Sequence, residues 1–380
     1  MPEPATSQPD VIVIGGGLHG CSAALHLSLR GAKVQVIEKD YIGRHASGVN
    51  AGGVRQLGRH VAEVPLSVAS MALWHRIGAL VDDDCGFESH GQIKVAETEA
   101  ELDQGRARVA QLNELGFTHE EVVDRAELRR LVPAIAEHCV GAVVSRRDGA
   151  AIPYRTTFAF KRKAESLGAR FAEGAAVTRV ARSGTGWRVE TADGGRYEAP
   201  VLVNCAGAWA GRIAAQLGEP VPLEAVAPML MITARMPPFL KPVVGATGRT
   251  LSFKQFPNGT VLIGGGLLGR AVPDENRTEL DYAKMSVNAR TVWDLFPNMR
   301  GATIVRAWAG IEGRMPDDIP VIGPSGTEAG VFHAFGFSAH GFQLGPIVGR
   351  IIADLITDQT TDLPIDAFRI QRFRQTAVAA

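Results

Sequence analysis

The residues whose types and spacing point most directly to chemistry lie near the start of the chain. An apolar run at 11–14 leads into Gly15, Gly17 and Gly20, and a second apolar run ends at Glu38. After a buried strand, such glycines permit a tight turn, let the backbone approach a pyrophosphate and let the next helix pack closely. The N-terminus of that helix offers free N–H groups to the pyrophosphate, and the acid can accept hydrogen bonds from a ribose hydroxyl. The spacing therefore predicts a strand–turn–helix–strand unit that binds a dinucleotide.

Composition excludes several other classes of function. The 380 residues carry 40 basic and 40 acidic side chains, so no excess of charge points to a nucleic-acid partner. No apolar stretch approaches the ~20 residues that cross a bilayer, and the polar start at 1–9 lacks the features of a signal peptide. The four cysteines, Cys21, Cys85, Cys139 and Cys205, form no Cys-x-x-Cys pair. We therefore expect a cytoplasmic protein without a metal site or iron–sulfur cluster.

Further elements must bring distant residues to the nucleotide site. Helical periodicity predicts helices at about 61–81, 97–115, 153–168, 278–295 and 346–356, the last of which opens on a proline. Strand-like runs fill 222–266, with a hairpin at Asn258-Gly259. Nucleotide-binding signals lie at both ends and in the middle of the chain, and meandering strands lie between them. This arrangement predicts two interleaved domains, each built from discontinuous segments.

Several motifs together carry a family resemblance that covers nearly the whole chain. Besides the opening fingerprint with Glu38, they are Ala46-Ser-Gly-Val-Asn-Ala-Gly-Gly53, Asp148-Gly-x-x-x-Pro153-Tyr154, Val203-Asn-Cys-Ala-Gly-Ala-Trp209, Trp308-Ala-Gly-Ile-Glu-Gly313 with Pro320-Val-Ile-Gly323, and Gly336-Phe-Ser-Ala-His-Gly-Phe-Gln343. In this order they resemble the D-amino-acid oxidase superfamily of flavoproteins, which includes glycine oxidase, sarcosine oxidase and dimethylglycine dehydrogenase. Within it, the chain is most similar to the flavin subunits of opine and D-hydroxyproline dehydrogenases.

The resemblance implies an α/β fold with FAD as the cofactor. A doubly wound, Rossmann-like FAD-binding domain of the glutathione-reductase type would comprise 8–90, 145–220 and 302–380. An interleaved α+β substrate domain, with a mixed or antiparallel sheet over the flavin, would comprise 91–144 and 221–301. The glycine-rich loops beyond the fingerprint offer backbone donors along the length of a permanently held flavin, which favours FAD over a dissociable nicotinamide.

The resemblance also assigns the residues that would hold FAD. They are Gly15, Gly17, Leu18, His19, Gly20, Glu38, Lys39, Arg44, Ser47, Gly48, Asn50, Ala51, Gly52, Gly53, Val177, Ala206, Gly207, Trp209, Gly310, Gly336, Ser338, His340, Gly341, Phe342 and Gln343. Relatives with a covalent flavin often carry a histidine where this chain has Asn50, and His45 lies five residues earlier. We therefore expect FAD to be bound noncovalently.

Departures from the family pattern shape the expected chemistry. Sarcosine oxidase relatives carry a lysine at Gln343 and another near Leu268, where a cation would stabilise negative charge as oxygen reacts. Their absence favours a dehydrogenase that passes electrons to a carrier or to a partner subunit. Glycine oxidase relatives bind the substrate carboxylate through an arginine where this chain has Glu312, with Arg314 two residues later.

Four residues follow as catalytic candidates: Arg55, Glu312, Arg314 and His340. Arg55 is the first candidate for the carboxylate clamp, although a structural or phosphate-facing role is open. Glu312 either meets a substrate cation, such as an amine or guanidinium, or pairs with Arg314 at the surface. His340 would hydrogen-bond the flavin or accept a proton from the substrate.

The expected reaction is oxidation of a C–N bond in a secondary amino acid: an opine, a D-imino acid or an N-alkyl glycine. A hydride would pass to the flavin, and the imine product would then be hydrolysed. Three alternatives stay open at this point: an oxidase that forms hydrogen peroxide, a 2-hydroxy-acid dehydrogenase, and a flavin subunit that serves mainly electron transfer in a heteromeric complex.

Overall fold

The computed structural model describes residues 8–373. Most of the leader and the last seven residues of the predicted segment 302–380 lie outside the described residues. The α-helices are α1 (Leu18–Ser28), α2 (Ala46–Val49), α3 (Val64–Trp74), α4 (Ile77–Val81), α5 (Glu99–Glu114), α6 (Arg125–Leu131), α7 (Pro153–Ser166), α8 (Ala210–Gln216), α9 (Tyr282–Leu295) and α10 (Gly341–Thr357).

The strands belong to two large sheets and two small ones. They are β1 (Val11–Ile14), β2 (Val34–Ile37), β3 (Gly53–Val54), β4 (Gln92–Ala96), β5 (Glu121–Asp124), β6 (Gly141–Ser145), β7 (Gly149–Ala150), β8 (Arg170–Ala172), β9 (Val177–Ser183), β10 (Gly186–Thr191), β11 (Arg196–Ala199), β12 (Val201–Asn204), β13 (Glu224–Thr233), β14 (Val243–Ala246), β15 (Ser252–Gln255), β16 (Val261–Gly264), β17 (Leu268–Val272), β18 (Arg277–Glu279), β19 (Ile304–Ala309), β20 (Glu312–Arg314), β21 (Val321–Pro324) and β22 (Val331–Phe335).

The first large sheet is organised around β1. Its six strands run in the order β21-β22-β12-β1-β2-β8, and all neighbours are parallel except the antiparallel edge strand β21. All four residues of β1 are buried, as expected of a central strand covered on both faces. Helices α7 and α10 both pack against α1. The strand order places distant parts of the chain side by side, with Val11 opposite Val201 and Leu202 opposite Val331.

The second large sheet is mixed and covers the other side of the central cavity. Its path is β18-β17-β13-β16-β15-β14-β4-β6-β5, and β19 and β20 also pair with β13. Only the pairing of β14 with β4 is parallel. Phe253, Phe296 and Val261 belong to the fully buried core behind this sheet. The two sheets confirm the predicted α/β fold with a mixed second sheet, whereas the exact domain ranges remain a prediction.

Two predicted helices differ from those observed. The stretch at 61–81 is divided into a 3₁₀ turn (Val61–Glu63), α3 and α4, because the chain turns between Trp74 and Ile77. Helix α10 begins at Gly341, five residues before the proline at which we expected it to start. Pro346 therefore lies inside the helix, beyond its first turn, where its missing N–H removes one intrahelical hydrogen bond. Contacts of Gln343 with α3 hold the added first turn in place.

Candidate active site

One cavity of about 970 Å³ lies between the two large sheets. This volume is at the upper end of the about 300–1,000 Å³ range of small-molecule sites. Its lining comes from the loops at the carboxyl ends of β1, β2, β12 and β22 and from strands of the mixed sheet. In open parallel sheets, ligands bind at this edge. The fold therefore gathers the nucleotide fingerprint and the later motifs into a single site.

At one end of the cavity, the fingerprint glycines stand where no side chain fits. Gly15 has a φ of +107°, and a Cβ there would lie 2.3 Å from the carbonyl oxygen of Cys205. A Cβ on Gly20 would lie 1.9 Å from the carbonyl oxygen of Gly15. Gly20 does not line the cavity; it lets α1 pack onto the turn. These approaches leave the N-terminus of α1 at the cavity wall, where Leu18 lies.

Glu38 is held at the same end by backbone donors. Its Oε2 accepts a hydrogen bond from the Gly16 N–H at 2.7 Å, and its Oε1 accepts one from the Asp40 N–H at 2.9 Å. Burial raises the pKa of this carboxyl, and the two hydrogen bonds oppose the shift. The ammonium of Lys39 lies 3.9 Å from the ring centroid of Trp209, a cation–π contact across the cavity.

Most of the residues expected to hold FAD line this cavity. They are Gly15, Gly17, Leu18, His19, Glu38, Lys39, Arg44, Ser47, Asn50, Ala51, Gly52, Gly53, Val177, Ala206, Gly207, Trp209, Gly310, Gly336, His340, Gly341 and Phe342. Gly20, Gly48, Ser338 and Gln343 do not line it. A Cβ on Gly48 would lie 2.1 Å from the carbonyl oxygen of Gly43, so this glycine closes the loop rather than facing the cavity.

The residues present fit an FAD. Two helices, α1 and α10, begin at the cavity, and helix N-termini favour anionic groups such as phosphates. The ring of His19 stacks on that of Phe337 with centroids 3.6 Å apart. Burial lowers the pKa of His19 to about 3, so its ring is neutral, and its Nε2 has no hydrogen-bond partner among the described residues.

The second glycine-rich loop offers no histidine in the place expected for covalent attachment. The Asn50 amide donates to the Ala46 carbonyl at 2.8 Å and accepts from the Gly52 N–H at 2.8 Å, which fixes the loop. His45 also lines the cavity, and its ring lies 4.6 Å from that of Trp209. Burial lowers the pKa of His45 to about 3. Asn50 therefore has a structural function in this loop.

At the other end of the cavity, two arginines lie in the wall. Arg55 donates to the carbonyl oxygen of Leu57 at 2.7 Å. Arg59 is buried, donates through Nε to the carbonyl oxygen of Arg55 at 3.0 Å, and contacts Gln343 Oε1 through Nη2 at 3.3 Å. Its Nη1 has no hydrogen-bond partner among the described residues. The sequence analysis proposed Arg55 but missed Arg59. The second arginine, four residues later in the same loop, could have indicated it.

Glu312 also lines the cavity and is not part of a surface ion pair. Its Oε1 accepts a hydrogen bond from the Ala339 N–H. Burial raises the pKa of this carboxyl to about 7, against the effect of that hydrogen bond. Arg314 is exposed and pairs with Asp318 at 2.8 Å. The alternative in which Glu312 pairs with Arg314 is therefore wrong, and Arg314 lies outside the cavity lining.

His340 lines the cavity at the N-cap of α10 and is backed by a buried acid. Its Nδ1 and Glu63 Oε2 lie 2.9 Å apart and share a hydrogen bond. Burial lowers the pKa of His340, while its hydrogen bond to Glu63 opposes this shift. Sequence reasoning missed Glu63, because nothing in the pattern around it links it to a histidine 277 residues away.

Gln343 stands where sarcosine oxidase relatives have a lysine, and its side chain is turned into the protein. Its Nε2 donates to the Ser67 carbonyl at 2.8 Å, and its Oε1 accepts from the Ser67 hydroxyl at 3.1 Å. Both ends of the amide are thus satisfied by α3 and Arg59. Gln343 therefore joins α10 to α3 and does not line the cavity.

Two further polar residues were missed. Gln92 lines the cavity from β4, and its Oε1 has no hydrogen-bond partner among the described residues. Lys254, on β15, is 5% exposed, and its Nζ lies 3.1 Å from where a Cβ on Gly52 would stand. It borders a separate cavity of about 120 Å³, and burial lowers its pKa to about 7. It is therefore a buried amine directly behind a cavity loop.

Within residues 8–373, no cluster of metal-ligating side chains is present, and no helix is long and apolar enough to cross a bilayer. The four cysteines are free and buried.

Comparison with known proteins agrees with this arrangement. Residues 10–355 match the family model "DAO: FAD dependent oxidoreductase". Hydrogen cyanide synthase subunit HcnC of Pseudomonas aeruginosa is 27% identical, with 97% of each chain covered. Monomeric sarcosine oxidase of Streptomyces avermitilis is 30% identical over 96% of this chain and 97% of that relative. The structure of L-proline dehydrogenase from P. horikoshii superposes with a TM-score of 0.90 at 26% identity, covering 97% and 98% of the two chains. The chain belongs to the DAO family and is an FAD-dependent oxidoreductase that acts on C–N bonds of amino acids or amines.

Proposed function

We propose that this protein is a dehydrogenase that oxidises a C–N bond of a secondary amino acid: an opine, a D-imino acid or an N-alkyl glycine. The observation that carries the proposal is the pair of opposite charges in one cavity. The buried Arg59 guanidinium lines the cavity; its Nη1 has no hydrogen-bond partner among the described residues and is sealed from the cavity space, so a small turn of the side chain would bring it to a ligand. The Glu312 carboxylate lines the same cavity and accepts a hydrogen bond from the Ala339 N–H. A ligand with both a carboxylate and a cationic nitrogen would satisfy both groups.

Arg59 is the better candidate for the substrate carboxylate. A buried guanidinium with an unused N–H is unfavourable unless a ligand pairs with it, and a carboxylate matches its planar fork. Arg55 lies beside it and is already bonded to a backbone carbonyl. Arg55 would add positive potential, while Arg59 would make the direct bond.

Glu312 and Gln92 would hold the nitrogen end of the substrate. Gln92 lines the cavity from the mixed sheet, and a turn of its amide would bring the buried, unpartnered Oε1 to a ligand; the Glu312 carboxylate is ionised above a pH of about 7. Both accept hydrogen bonds, as a substrate amine requires. When bound, FAD supplies the acceptor for a hydride from the carbon next to nitrogen. The side chains orient that carbon within about 3–3.5 Å of the acceptor and exclude water.

Relatives support a secondary amine as the substrate. The names of the sarcosine oxidase and the L-proline dehydrogenase each specify an amino acid whose nitrogen carries two carbon substituents. A hydrogen cyanide synthase subunit is equally similar, so the choice needs a direct test. Anaerobic mixing of the holoprotein with opines, D-amino acids, N-alkyl glycines and 2-hydroxy acids, followed by flavin absorbance, provides it. Bleaching by secondary amino acids alone is expected, and bleaching by none of the amines would overturn the proposal.

The electron acceptor is proposed to be a carrier or a partner subunit rather than oxygen. The observation behind this is Gln343, whose neutral amide is turned away from the cavity where relatives carry a cation. The name of HcnC describes a subunit, which is consistent with a heteromeric assembly. Stoichiometric hydrogen peroxide release in air at the rate of amine oxidation would contradict the dehydrogenase and favour an oxidase.

Two properties complete the proposal. Because Asn50 is bonded within its own loop, FAD is expected to be held noncovalently, and acid precipitation should leave the pellet colourless. Four free buried cysteines fit a reducing cytoplasm. Fractionation of the source cells with an antibody against the chain would test that location.

A 2-hydroxy-acid dehydrogenase is the second candidate, favoured by one observation. The contact between His340 and Glu63 resembles the acid–histidine arrangement that removes a proton from oxygen. The same anaerobic panel separates the two functions, because 2-hydroxy acids would then bleach the flavin and amines would not.

A further inference from the structure

A fully buried carboxylate stands behind the histidine at the substrate end of the cavity. Glu63 has no solvent exposure, and its Oε2 receives the hydrogen bond from His340 Nδ1. Its other oxygen, Oε1, has no hydrogen-bond partner among the described residues. Burying a charge is unfavourable unless a partner compensates for it. The contact with this single ring nitrogen is therefore the main interaction that Glu63 makes.

The contact determines which ring nitrogen of His340 carries the hydrogen. An ionised carboxylate only accepts, so Nδ1 is protonated and Nε2 keeps its lone pair. Burial acts to raise the pKa of Glu63, but His340, Arg59 and Arg55 together hold it below its usual value. Because burial also keeps the pKa of His340 low, its ring is neutral near pH 7. The pair therefore consists of an ionised acid and a neutral imidazole.

The free nitrogen of the ring belongs to the cavity. His340 lines the cavity, and its Nδ1 is turned away toward Glu63. Its Nε2 is not among the sealed, unpartnered nitrogens of the described residues. The charged groups that act on the ring are Glu63, Arg55 and Arg59, and Glu312 binds the backbone of the preceding residue. An acceptor with a carboxylate behind it thus faces the space in which the substrate nitrogen would lie.

We propose that Glu63 is a positioning residue that aims the Nε2 lone pair of His340 at the substrate ammonium, so that His340 accepts its proton before the C–N bond is oxidised. This inference rests on the proposed function. The N–H bond of the ammonium breaks, its electron pair stays on nitrogen, and the proton moves to Nε2. The imidazolium that results is stabilised by the Glu63 carboxylate. The neutral amine is the form whose neighbouring carbon can give up a hydride.

The first experiment determines which nitrogen of the His340 ring is protonated, and it needs no substrate. ¹⁵N-histidine labelling of the holoprotein, with His340→Gln to assign the signal, should show a protonated Nδ1 and an unprotonated Nε2 at pH 7.5. In Glu63→Gln the pKa of His340 should fall, because the carboxylate that favours the charged ring is gone. Glu114→Gln, an exposed acid on α5, should leave the signal unchanged. An Nε2–H tautomer in the wild type would overturn the proposal.

The second experiment measures the rate constant of anaerobic flavin reduction by the best amine. Loss of a positioned base costs about 10²–10⁴-fold in rate, so His340→Gln should fall by at least about 100-fold at pH 7. Glu63→Gln should lower the rate constant by a smaller factor than His340→Gln does. Glu63→Asp, which keeps the carboxylate, should lower it less than Glu63→Gln. The Kd of acetate, read from flavin absorbance, should stay unchanged in His340→Gln, because a neutral ring is exchanged for a neutral amide and the proposed carboxylate site is at Arg59.

Non-additivity decides whether Glu63 acts through His340. Glu63→Gln should cost nothing further in the His340→Gln background, because the ring it positions is absent. Equal, independent losses in the two backgrounds would assign Glu63 to structure alone and overturn the proposal. If the proton instead goes to Glu312, Glu312→Gln will abolish the rise of the rate with pH while His340→Gln keeps it, which also overturns it. If no amine reduces the flavin, the proposed function fails. The NMR experiment needs no substrate, so it still tests whether Glu63 fixes the tautomer of His340.

Discussion

The two ends of the cavity are built in different ways. At the nucleotide end, the backbone does most of the recognition: Gly15 and Gly20 bring main chains together, and Glu38 is fixed by two N–H groups. At the proposed substrate end, the cavity is lined by charged side chains from distant segments, such as Arg59 and Glu312, and the Arg59 Nη1 has no hydrogen-bond partner among the described residues. Substitutions at the first end should therefore disturb the backbone itself, whereas substitutions at the second should change individual side-chain contacts.

Substitution of Gly20 should break the nucleotide end completely. A Cβ at this position meets the carbonyl oxygen of Gly15 at 1.9 Å, so Gly20→Ala must displace α1 from the turn. Overpacking of this kind destabilises by ~1–3 kcal/mol, and FAD should be lost. Thermal unfolding and the FAD-to-protein ratio measure both effects. Gly78→Ala, on α4 where a Cβ meets nothing within 4 Å, is the matched control and should retain FAD.

Lys254, behind the loop that joins the two ends, should make stability depend on pH. Its pKa is about 7 when folded and 10.5 in the unfolded chain, so between these values the unfolded state binds more protons. The free energy of unfolding should then rise with pH from 7 to 10.5, by up to roughly 1.4 kcal/mol per pH unit. Urea unfolding of wild type and Lys254→Met across this range tests the sign. A difference between them that stays constant with pH would contradict it.

Arg59 should dominate the substrate end. Loss of a charge-assisted bond removes roughly 1.5–3 kcal/mol, so Arg59→Met should lower kcat/KM for the best amino acid by about 10–150-fold. Arg55→Ala is expected to lose as much only if Arg55 is the clamp, so the larger loss identifies the residue that binds the carboxylate. Arg314→Met, exposed and paired with Asp318, should leave kcat/KM unchanged. Unfolding curves must show that Arg59→Met remains folded.

Glu312 should contribute the smallest and most selective effect. Its pKa of about 7 means that the carboxylate is charged above this pH and neutral below it. KM for a cationic substrate should therefore fall as pH rises through about 7, and Glu312→Gln should remove this dependence. The expected loss is about 1 kcal/mol, roughly fivefold in KM at pH 8. An unchanged KM profile in the variant would exclude Glu312 from contact with a substrate cation.

The same contrast explains what the sequence could predict. Gly15, Gly20 and Glu38 act through local backbone geometry, so their spacing sufficed to predict the strand, the turn and the dinucleotide. Arg59 and Glu63 act only because α10 lies over their loop, and no local pattern reports such a contact.

The surface pair of Glu312 with Arg314 was wrong for a related reason. Two oppositely charged residues two positions apart lie on the same face of a strand, which made an ion pair between them a plausible expectation. The partner of each side chain is instead decided by the segments that pack beside it in the folded chain. Here the Ala339 backbone binds Glu312, and Asp318 binds Arg314. The start of α10 was predicted too late because the proline marked a helix boundary more strongly than the contacts of Gln343, which only the folded chain supplies.

The strand order has a consequence for the order in which the cofactor site is completed during synthesis. Strand β22 completes the parallel sheet beside β12, and α10 packs on α1, although β22 and α10 are among the last elements to be synthesised. In the folded protein the Ser22 hydroxyl donates a hydrogen bond to the carbonyl oxygen of Pro346, 324 residues later in the chain. A ribosome-bound chain that carries the complete fingerprint thus still lacks one wall of the cofactor cavity. We therefore expect FAD to bind only after these last elements have been synthesised, and a chain truncated before 331 should lack the cofactor even though its first 38 residues are intact.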